Sequence, residues 1–472
     1  MTNRFVKFAA AVAPAALLLA AGASPADAKV LLMGDGGWEV SFDGSVNGFA
    51  MWDSSDNVPI SPNAALARVG SVGTPAGNTD RTVNDTFRVR TGLLPAVWGM
   101  NVKAPTTGGL DMASRIGIYP NISNNLKNSF AATLDLREIF FTVDGSFGQV
   151  LVGKTLSQFL GKNIVTDMTL FGIGGVGAVS QGAGTTLGRI GYGYVYPQFN
   201  ARIQYTTPDM SGFKASAGIY DPSRITGTAN SGTGTTGGLG FGLTANETST
   251  PRFEGEVSYA GAIAGANVLG WISGMHQSAE FNGVSTGACV TTLNAVTTAA
   301  GALRCLNGQD VDAWGFAGGV TVGIPVGPGT LELMGSGYVG EALGTTLQLD
   351  TDSMDFTGTE KENDGFIGQI GYAFGQGTKL QTSYGESTQD ETSAENLCRT
   401  SLGVNSGTNF GCPGAGTAGI YVETQSLVDV MLTHDVNPNL KLVAEYGRES
   451  TEWQDGADMD TDIFGVGAFF FW

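Results

Sequence analysis

The most constraining feature of this sequence is a residue-by-residue alternation of apolar and polar side chains. From Trp38 to Trp52 the even positions are apolar or glycine, whereas the odd positions begin with Glu39, Ser41 and Asp43. A period of two turns one face of a strand towards an apolar environment and the other towards a polar one. Tryptophan at both ends of the apolar face is typical of strands that cross a membrane between two belts of aromatic residues.

The same alternation recurs along the chain and predicts sixteen strands, although counts of fourteen or eighteen also fit. Short turns such as 375–377 alternate with long connections such as 221–250 and 389–420, which is typical of outer-membrane barrels. The predicted strands lie near 38–52, 86–104, 110–119, 135–143, 149–154, 199–207, 213–220, 251–261, 265–276, 312–323, 330–340, 363–374, 378–388, 421–434, 440–452 and 461–472.

Closure of these strands into a barrel follows from the chemistry of hydrocarbon. Backbone N–H and C=O groups find no water there, and each unpaired group costs several kcal/mol, so an open sheet edge is excluded. No apolar run after residue 28 approaches the roughly 20 residues that a transmembrane helix needs. We therefore predict an all-β fold, a transmembrane antiparallel β-barrel of sixteen strands.

The composition excludes several other classes of protein. Charged residues make up 14% of the chain, against about 25% in soluble domains. The 25 Phe, 12 Tyr and 7 Trp are too many for a highly charged disordered protein. With 43 acidic and 24 basic residues the chain is strongly acidic, so we expect no nucleic-acid partner.

The N-terminus predicts export. Arg4 and Lys7 precede an apolar run over residues 8–22, and Ala26-Asp27-Ala28 forms a small-x-small cleavage site. This pattern is typical of a secretory signal peptide rather than of a membrane anchor. We predict a signal peptide over residues 1–28 and a barrel domain over residues 29–472, which reaches the outer membrane through the periplasm.

The last strand carries the most specific signal. Phe464, Val466, Ala468, Phe470 and Trp472 fall on alternate positions, and the sequence ends on an aromatic residue. This strand resembles that of the Gram-negative trimeric porins, whose final aromatic residue is read by the outer-membrane assembly machinery. The segments 137–154 and 200–213 are similar to the porin segments on either side of the constriction loop.

The resemblance implies a homotrimer in a bilayer that contains lipopolysaccharide, with Phe470 and Trp472 as the assembly signal. It also implies a constriction loop at about 155–199 that folds into the lumen. Porin constriction loops usually carry several acids that face a basic wall. Here Asp167 is the only acid of the span, beside Lys162 and Arg189, so the charge pattern departs from that of the family.

Candidate pore-lining residues follow from the alternation and from the resemblance. An arginine that faced lipid near the midplane would cost about 2–4 kcal/mol, so the arginines on polar strand faces are predicted to point into the lumen. The resemblance adds positions 137 and 154, where Glu138 competes for the inward face. An alternative role for any of these arginines is a stabilising pair with a nearby carboxylate. The predicted set is Arg88, Arg90, Arg115, Arg137, Lys154, Asp167 and Arg202.

The four cysteines fall into two long connections, Cys289 with Cys305 and Cys398 with Cys412. In an oxidising periplasm we expect two disulfides, each inside one loop, and pairing between the two loops is the alternative. We predict no metal site for these cysteines, because no Cys-x-x-Cys motif or histidine cluster accompanies them.

Runs of acidic residues over 350–364, 386–395 and 449–460 mark the remaining exterior loops. A solvated surface is the expected role of such runs, and divalent cations that bridge them to each other or to lipid A phosphates are the alternative. No other cofactor is predicted. The two histidines, His276 and His434, do not suggest a catalytic triad, so we predict no enzymatic activity.

These features predict a channel for the passive diffusion of small hydrophilic solutes and ions. A channel selective for anionic solutes is the first alternative, because the predicted basic wall would favour them. A barrel whose loops serve as an adhesin or receptor is the second. The ion preference stays open at this point, since the basic wall and the acidic loops act in opposite directions.

Overall fold

The computed structural model describes residues 30–55, 85–122, 135–175, 185–227, 244–282, 289–291, 303–305, 308–349, 352–355, 357–400, 422–454, 456 and 458–472. The predicted signal peptide lies outside them. The strands are β1 Val30–Asp35, β2 Trp38–Ser55, β3 Asp85–Arg90, β4 Val97–Lys103, β5 Asp111–Ile118, β6 Leu136–Gly145, β7 Gly148–Leu156, β8 Phe199–Thr206, β9 Phe213–Tyr220, β10 Ile225–Thr226, β11 Thr244–Ala245, β12 Arg252–Ile263, β13 Ala266–Glu280, β14 Cys289–Thr291, β15 Leu303–Cys305, β16 Asp310–Val326, β17 Gly329–Glu341, β18 Glu362–Ala373, β19 Thr378–Gln389, β20 Val422–Asn437, β21 Leu440–Trp453 and β22 Asp458–Phe471. The helices are α1 Gly161–Val165 and α2 Ser393–Thr400.

Sixteen strand positions close into an antiparallel barrel. Eighteen strands pair in one sheet, and two pairs of them share a position. β3 and β4 lie along one edge of β2, and β1 and β22 lie along its other edge. The remaining strands form two small hairpins, β10–β11 and β14–β15. The predicted all-β barrel of sixteen strands is confirmed.

The barrel closes where the last strand meets the second. β22 pairs with β2 from Phe471 opposite Ser45 to Thr461 opposite Ser55. Trp472 exchanges two further backbone hydrogen bonds with Gly44, at 3.0 and 3.1 Å. This closure gives the backbones of β2 and β22 hydrogen-bond partners within the protein, which they need because hydrocarbon offers no water.

One predicted strand, 86–104, is interrupted. Residues 91–96 turn inward between β3 and β4, and the Asn47 side chain donates to Leu94 O at 2.7 Å and accepts the Gly92 N–H at 3.0 Å. The Leu93 N–H donates to Gly172 O at 3.0 Å, far along the chain. The alternation of the sequence could not show this break, because the partners that fix it are distant in sequence.

The outer face is apolar and carries aromatic rings near both ends of the strands. Phe366 is 48% exposed on this face, whereas the neighbouring Ile367 is 2% exposed and faces inward. Towards the long connections, Trp52 packs against Phe87 and Phe464 with centroid distances of 4.9 and 5.8 Å. Rings pair near the short turns in Phe42–Trp98, Phe213–Tyr259 and Tyr372–Phe374.

Helices play no part in crossing a membrane among the described residues, since none there has the length and apolar character that a span requires.

Between β7 and β8 the chain leaves the wall and runs inside the barrel, at the place predicted for the constriction loop. We call the described residues of this stretch, 157–175 and 185–198, the constriction segment. Phe159, Leu160, Ile173 and Tyr194 of this segment are fully buried. They join inward-facing side chains of the wall in one apolar cluster. The segment is therefore packed onto the inner wall as a core is packed.

Glycines on the inner face of the wall make room for this packing. A Cβ added at Gly315 or Gly465 would lie well within 3.0 Å of the Phe159 ring or of the Ile173 side chain. Gly335 and Gly368, on the outer face, have nothing within 4 Å of an added Cβ. Glycine at these two inner positions therefore lets a second layer of chain approach the wall.

Alanine at Gly315 or Gly465 is expected to lower the stability of the folded barrel by about 1–3 kcal/mol, because it overpacks the contact with the constriction segment. The loss can be measured as a lower temperature for the conversion of the folded to the unfolded band on semi-native gels.

The matched controls are Gly335→Ala and Gly368→Ala, which add the same methyl group to open space. They should leave the transition unchanged or raise it slightly, since alanine loses less chain entropy on folding. Equal effects of the inner and outer substitutions would contradict the packing argument.

Candidate pore constriction

At the start of the constriction segment, two backbone N–H groups are hydrogen-bonded to one carboxylate of the wall. Glu254 on β12 accepts the N–H groups of Gln158 and Phe159 at 2.8 and 2.9 Å. The same carboxylate pairs with Arg252, and both side chains are fully buried. Hydrogen bonds to an ionised carboxylate are roughly twice as strong as neutral ones. The segment is thereby held just before α1.

A second wall carboxylate holds the middle of the constriction segment. Glu445 on β21 accepts the N–H groups of Ile173 and Gly174, the latter at 3.0 Å. Gly172 lies against this carboxylate, and an added Cβ there would come well within 3.0 Å of it. Glycine at 172 therefore allows the close approach that the two hydrogen bonds need.

Asp167, a predicted pore-lining residue, lies between the segment and the wall and is 4% exposed. Its carboxylate accepts the N–H and the hydroxyl of Thr169 at 2.9 and 2.8 Å. It also accepts Gln369 Nε2 at 2.6 Å and the Tyr194 hydroxyl at 2.8 Å. These contacts make Asp167 an anchor of the segment and leave little of it towards the lumen.

Arg189 is the second charged anchor of the constriction segment. It forms an ion pair of 3.0 Å with Asp429 on β20, and both side chains are fully buried. It also donates to Leu427 O and to Ser383 Oγ. Loss of one partner from a buried ion pair costs about 3–5 kcal/mol, so this contact fixes where the segment lies.

Two tyrosine hydroxyls stabilise the docked segment, one by a contact with the wall and one by a contact within the segment. Burial raises the pKa of Tyr192 and of Tyr194 well above the usual value, and the nearby carboxylates of Glu449 and Asp167 raise it further. Both hydroxyls therefore stay protonated and donate, from Tyr192 to Glu449 at 2.9 Å and from Tyr194 to Asp167 at 2.8 Å. The acids of this constriction are mostly on the wall, and the segment supplies the donors.

Arg115 on β5 faces inward between two carboxylates. Its guanidinium bonds Asp43 at 2.8 and 3.0 Å and Glu138 at 2.7 Å. Gly99 lies beside the guanidinium, and an added Cβ there would overlap it. Two carboxylates around one cation leave this cluster with an excess of negative charge. The alternative role given above for these arginines, a stabilising pair with nearby carboxylates, therefore fits Arg115.

Arg202 and Arg137 are also engaged by protein groups. Arg202 donates to Thr155 O at 3.2 Å, and its guanidinium lies 5.3 Å from the ring centroid of Tyr220. Arg137 pairs with Asp135 at 2.6 Å and donates to the Tyr196 hydroxyl at 3.0 Å. Arg202 therefore binds the end of β7, just before the constriction segment, and Arg137 binds the end of the segment at Tyr196.

Lys154 lies on the outer face of the barrel, so its prediction as a pore-lining residue is wrong. The register places it opposite Ile139, which is 45% exposed, and opposite Ala201, which is also exposed. The inward position of this row belongs to the neighbouring Gly153, which pairs with Arg202. Residues directly opposite in a sheet share a face, so Lys154 points away from the lumen.

Arg88 and Arg90 lie on the inner face of β3, next to each other. Their neighbours Phe87 and Val89 are 54% and 62% exposed on the outer face. Arg90 is 2% exposed, and its Nη2 lies 3.5 Å from Thr185 O of the constriction segment. Direct contact of these two arginines with permeating ions stays a prediction.

Part of the acidic exterior loops is buried, which corrects the expectation of a solvated surface. Asp355 is fully buried and accepts the N–H and hydroxyl of Thr357 at 2.7 Å. Glu395 on α2 is fully buried and pairs with Lys361 at 2.6 Å. Glu395 also accepts the Thr392 N–H at 3.1 Å, the reciprocal contact of a capping box. The Thr-x-x-Glu motif at 392–395 is the sequence signal from which the start of helix α2 could have been predicted.

The exterior loop over 342–361 reaches the end of the constriction segment, which sequence reasoning missed. Tyr196 donates its N–H to Thr346 O at 2.9 Å, and Gln198 donates Nε2 to Gln348 O at 2.8 Å. Leu343 and Leu349 of this loop are buried in the same apolar cluster as the segment. The loop and the segment are therefore packed as one unit.

The cysteines and histidines do not gather into a metal-ligating cluster among the described residues. Cys289 lies directly opposite Cys305 in the β14–β15 ladder, and Cys412 lies outside the described part of the chain. His276 is 3.8 Å from Asp312 with both side chains exposed, and His434 lies 2.8 Å from the Thr378 hydroxyl. No group of three metal-ligating side chains comes together in the residues described.

Glu445→Ala should loosen the constriction segment, because it leaves the Ile173 and Gly174 N–H groups without acceptors, at about 1–3 kcal/mol each. We expect larger and noisier conductance steps in planar bilayers. Glu332→Ala is the control, since Glu332 pairs with Lys379 on the wall alone. Steps as quiet and as small as those of the control would contradict the anchoring role.

The sequence and the fold of this chain are similar to those of known channels. The sequence model of the family described as Gram-negative porin matches residues 10–392. The fold is similar to that of the outer membrane channel DcaP of Acinetobacter baumannii, with a TM-score of 0.57 at 12% identity over 94% of this chain and 100% of that chain. No curated protein matches the sequence significantly.

Two further solved structures share the fold. The anion-selective porin from Comamonas acidovorans has a TM-score of 0.53 at 12% identity, over 92% of this chain and 100% of that chain. OprB of Pseudomonas putida has a TM-score of 0.52 at 11% identity, over 91% and 94%. At these identities the likeness is one of fold alone. The family match spans most of the sequence, and together with the closed sixteen-stranded barrel it establishes that this chain belongs to the Gram-negative porin family, whose members are outer-membrane channels for small solutes.

Proposed function

We propose that this porin passes small hydrophilic solutes and ions by passive diffusion, with only a weak preference between anions and cations. The observation that carries the proposal is that five inward-facing cations of the described residues each pair with a carboxylate. Opposite charges at such short range largely cancel each other's field along the lumen. The pairs are Arg115 with Asp43 and Glu138, Arg189 with Asp429, Arg252 with Glu254, Lys379 with Glu332 and Lys441 with Asp435.

A channel selective for anionic solutes is the second candidate. Arg88 and Arg90 favour it, because two adjacent cations on the inner face of β3 attract anions. The Comamonas porin is named as anion-selective, but its likeness to this chain is one of fold. An adhesin or receptor role would need no open channel at all.

Planar bilayer recordings test these functions. Large ohmic steps with a reversal potential near zero in a salt gradient support the proposal, saturation by one anionic solute supports the selective channel, and absence of conductance supports the adhesin.

Alanine at Arg88 and Arg90 together should shift the reversal potential towards cations, because two positive charges leave the inner wall. Arg448→Ala is the control, since Arg448 lies on the outer face and pairs with Asp460 at 2.7 Å. A reversal potential that moves no further than in the control would show that Arg88 and Arg90 do not act on the ion path.

We also propose the targeting and assembly that the sequence suggests. Residues 1–28 are removed as a signal peptide, Phe470 and Trp472 direct assembly, and the mature chain forms a homotrimer. Divalent cations that bridge the acidic exterior loops to each other or to lipid A phosphates remain the alternative to a solvated surface. No catalytic role is proposed. The support is the exposed apolar outer face, which suits lipid and neighbouring subunits, together with the sequence patterns described above.

A disulfide between Cys289 and Cys305 is expected, because the two residues lie opposite each other in the β14–β15 ladder. Closure of a loop of about 15 residues contributes roughly 3 kcal/mol in the chain-entropy model. Proteolysis without reductant followed by mass spectrometry should recover the peptides of Cys289 and Cys305 as one linked species, and a separate species for Cys398 and Cys412. Linked peptides that join the two loops would contradict this pairing.

A further inference from the structure

The constriction segment presents one charged side chain to the lumen. Between residues 155 and 199 the sequence has three charged residues, Lys162, Asp167 and Arg189, and all three are described in the structure. Asp167 is 4% exposed and Arg189 is 0% exposed. The Lys162 side chain is 29% exposed. An ion that passes the segment therefore comes near Lys162, whereas Asp167 and Arg189 are buried and hold the segment in place.

Lys162 is held in place by its surroundings. Its Nζ lies 2.8 Å from Glu256 Oε1 on β12, and the Glu256 side chain is 10% exposed. On the same helix α1, Asn163 accepts Trp271 Nε1 at 3.0 Å. The Phe159 N–H, just before the helix, is bound by Glu254. The ammonium group of Lys162 is thus fixed at the boundary between segment and wall.

A second cation lies beside this pair. Lys214 on β9 shares the inner face with Ser216, since the intervening odd-numbered residues, such as Phe213, face outward. In the β9–β12 register Ser216 lies opposite Glu256 and Lys214 lies opposite Ser258. Lys214 and Glu256 are therefore diagonal neighbours on one face, about 7–8 Å apart. The charges that act on the Glu256 carboxylate are the Lys162 ammonium first, then the Arg202 guanidinium, and the Glu254 carboxylate opposes them.

We propose that Lys162 and Glu256 set the ion preference of this channel, with the constriction segment supplying a cation and the wall supplying the anion. This polarity is the reverse of the arrangement that the resemblance implied, in which acids on the loop face a basic wall. The inference rests on the proposed channel function and goes beyond it, because it names the charges that act on the ion path.

The test is the reversal potential of the purified full-length porin in planar bilayers under a KCl gradient. Lys162→Gln should shift it towards cations and Glu256→Gln towards anions. Each single variant should change the anion-to-cation permeability ratio by roughly two- to fivefold, as one unit charge a few Å from an ion does in a watery lumen. The double variant should return close to the wild-type value.

Arg448→Gln and Asp460→Asn are the matched controls. Each removes one charge from an ion pair of 2.7 Å that lies on the outer face of the barrel. Lys162→Arg keeps the charge and should keep the wild-type reversal potential, which separates electrostatics from a displaced segment. The singles should also lose effect at high salt, where the Debye length falls to about 3 Å.

Shifts for Lys162→Gln and Glu256→Gln no larger than those of the controls would overturn the inference while leaving the channel function intact. Absence of conductance steps in the wild type would instead overturn the channel function. If Lys162→Gln changes the size of the conductance step and Lys162→Arg changes it equally, the residue positions the segment and does not select ions.

Discussion

Every feature of this protein depends on the requirement that backbone polar groups be paired where water is absent. A sheet meets that requirement only when its two edges join, and here they join between β22 and β2 down to the last residue, Trp472. Closure fixes which side chains face lipid and which face the lumen. The two-residue alternation of the sequence is the consequence, because each strand must present lipid with an apolar side and the lumen with the other.

The lumen has a packed interior of its own. The constriction segment is attached by apolar burial, by inner-face glycines and by wall carboxylates such as Glu254 and Glu445. Buried polar groups are costly unless they are hydrogen-bonded, and each of these carboxyl groups accepts two backbone N–H groups. Most of the charged residues that the resemblance to porins placed along the ion path therefore hold the structure together instead. Few charged groups of the segment remain for the ions.

The strand pattern could be read from the sequence because it is local: each residue's face follows from its neighbours two positions away. The roles of single charged residues could not, because they depend on distant partners. The buried carboxylate of Asp167 accepts hydrogen bonds from Gln369 and Tyr194, and the buried carboxylate of Glu395 pairs with Lys361. Lys154 was assigned by resemblance, yet the register of β7 gives the inward place to Gly153. The break at 91–96 likewise depends on contacts with Asn47 and Gly172.

Two anchors of the constriction segment, Glu254 and Glu445, bind main-chain N–H groups at 158–159 and 173–174 rather than side chains. These hydrogen bonds do not depend on which side chain stands there, although proline would remove them because it has no N–H. The other two anchors do use side chains, Asp167 with Gln369 and Arg189 with Asp429. Segment residues whose side chains make none of these contacts can therefore vary while the path of the segment through the barrel is kept, and it is at those positions that evolution or an engineer can change what the pore admits.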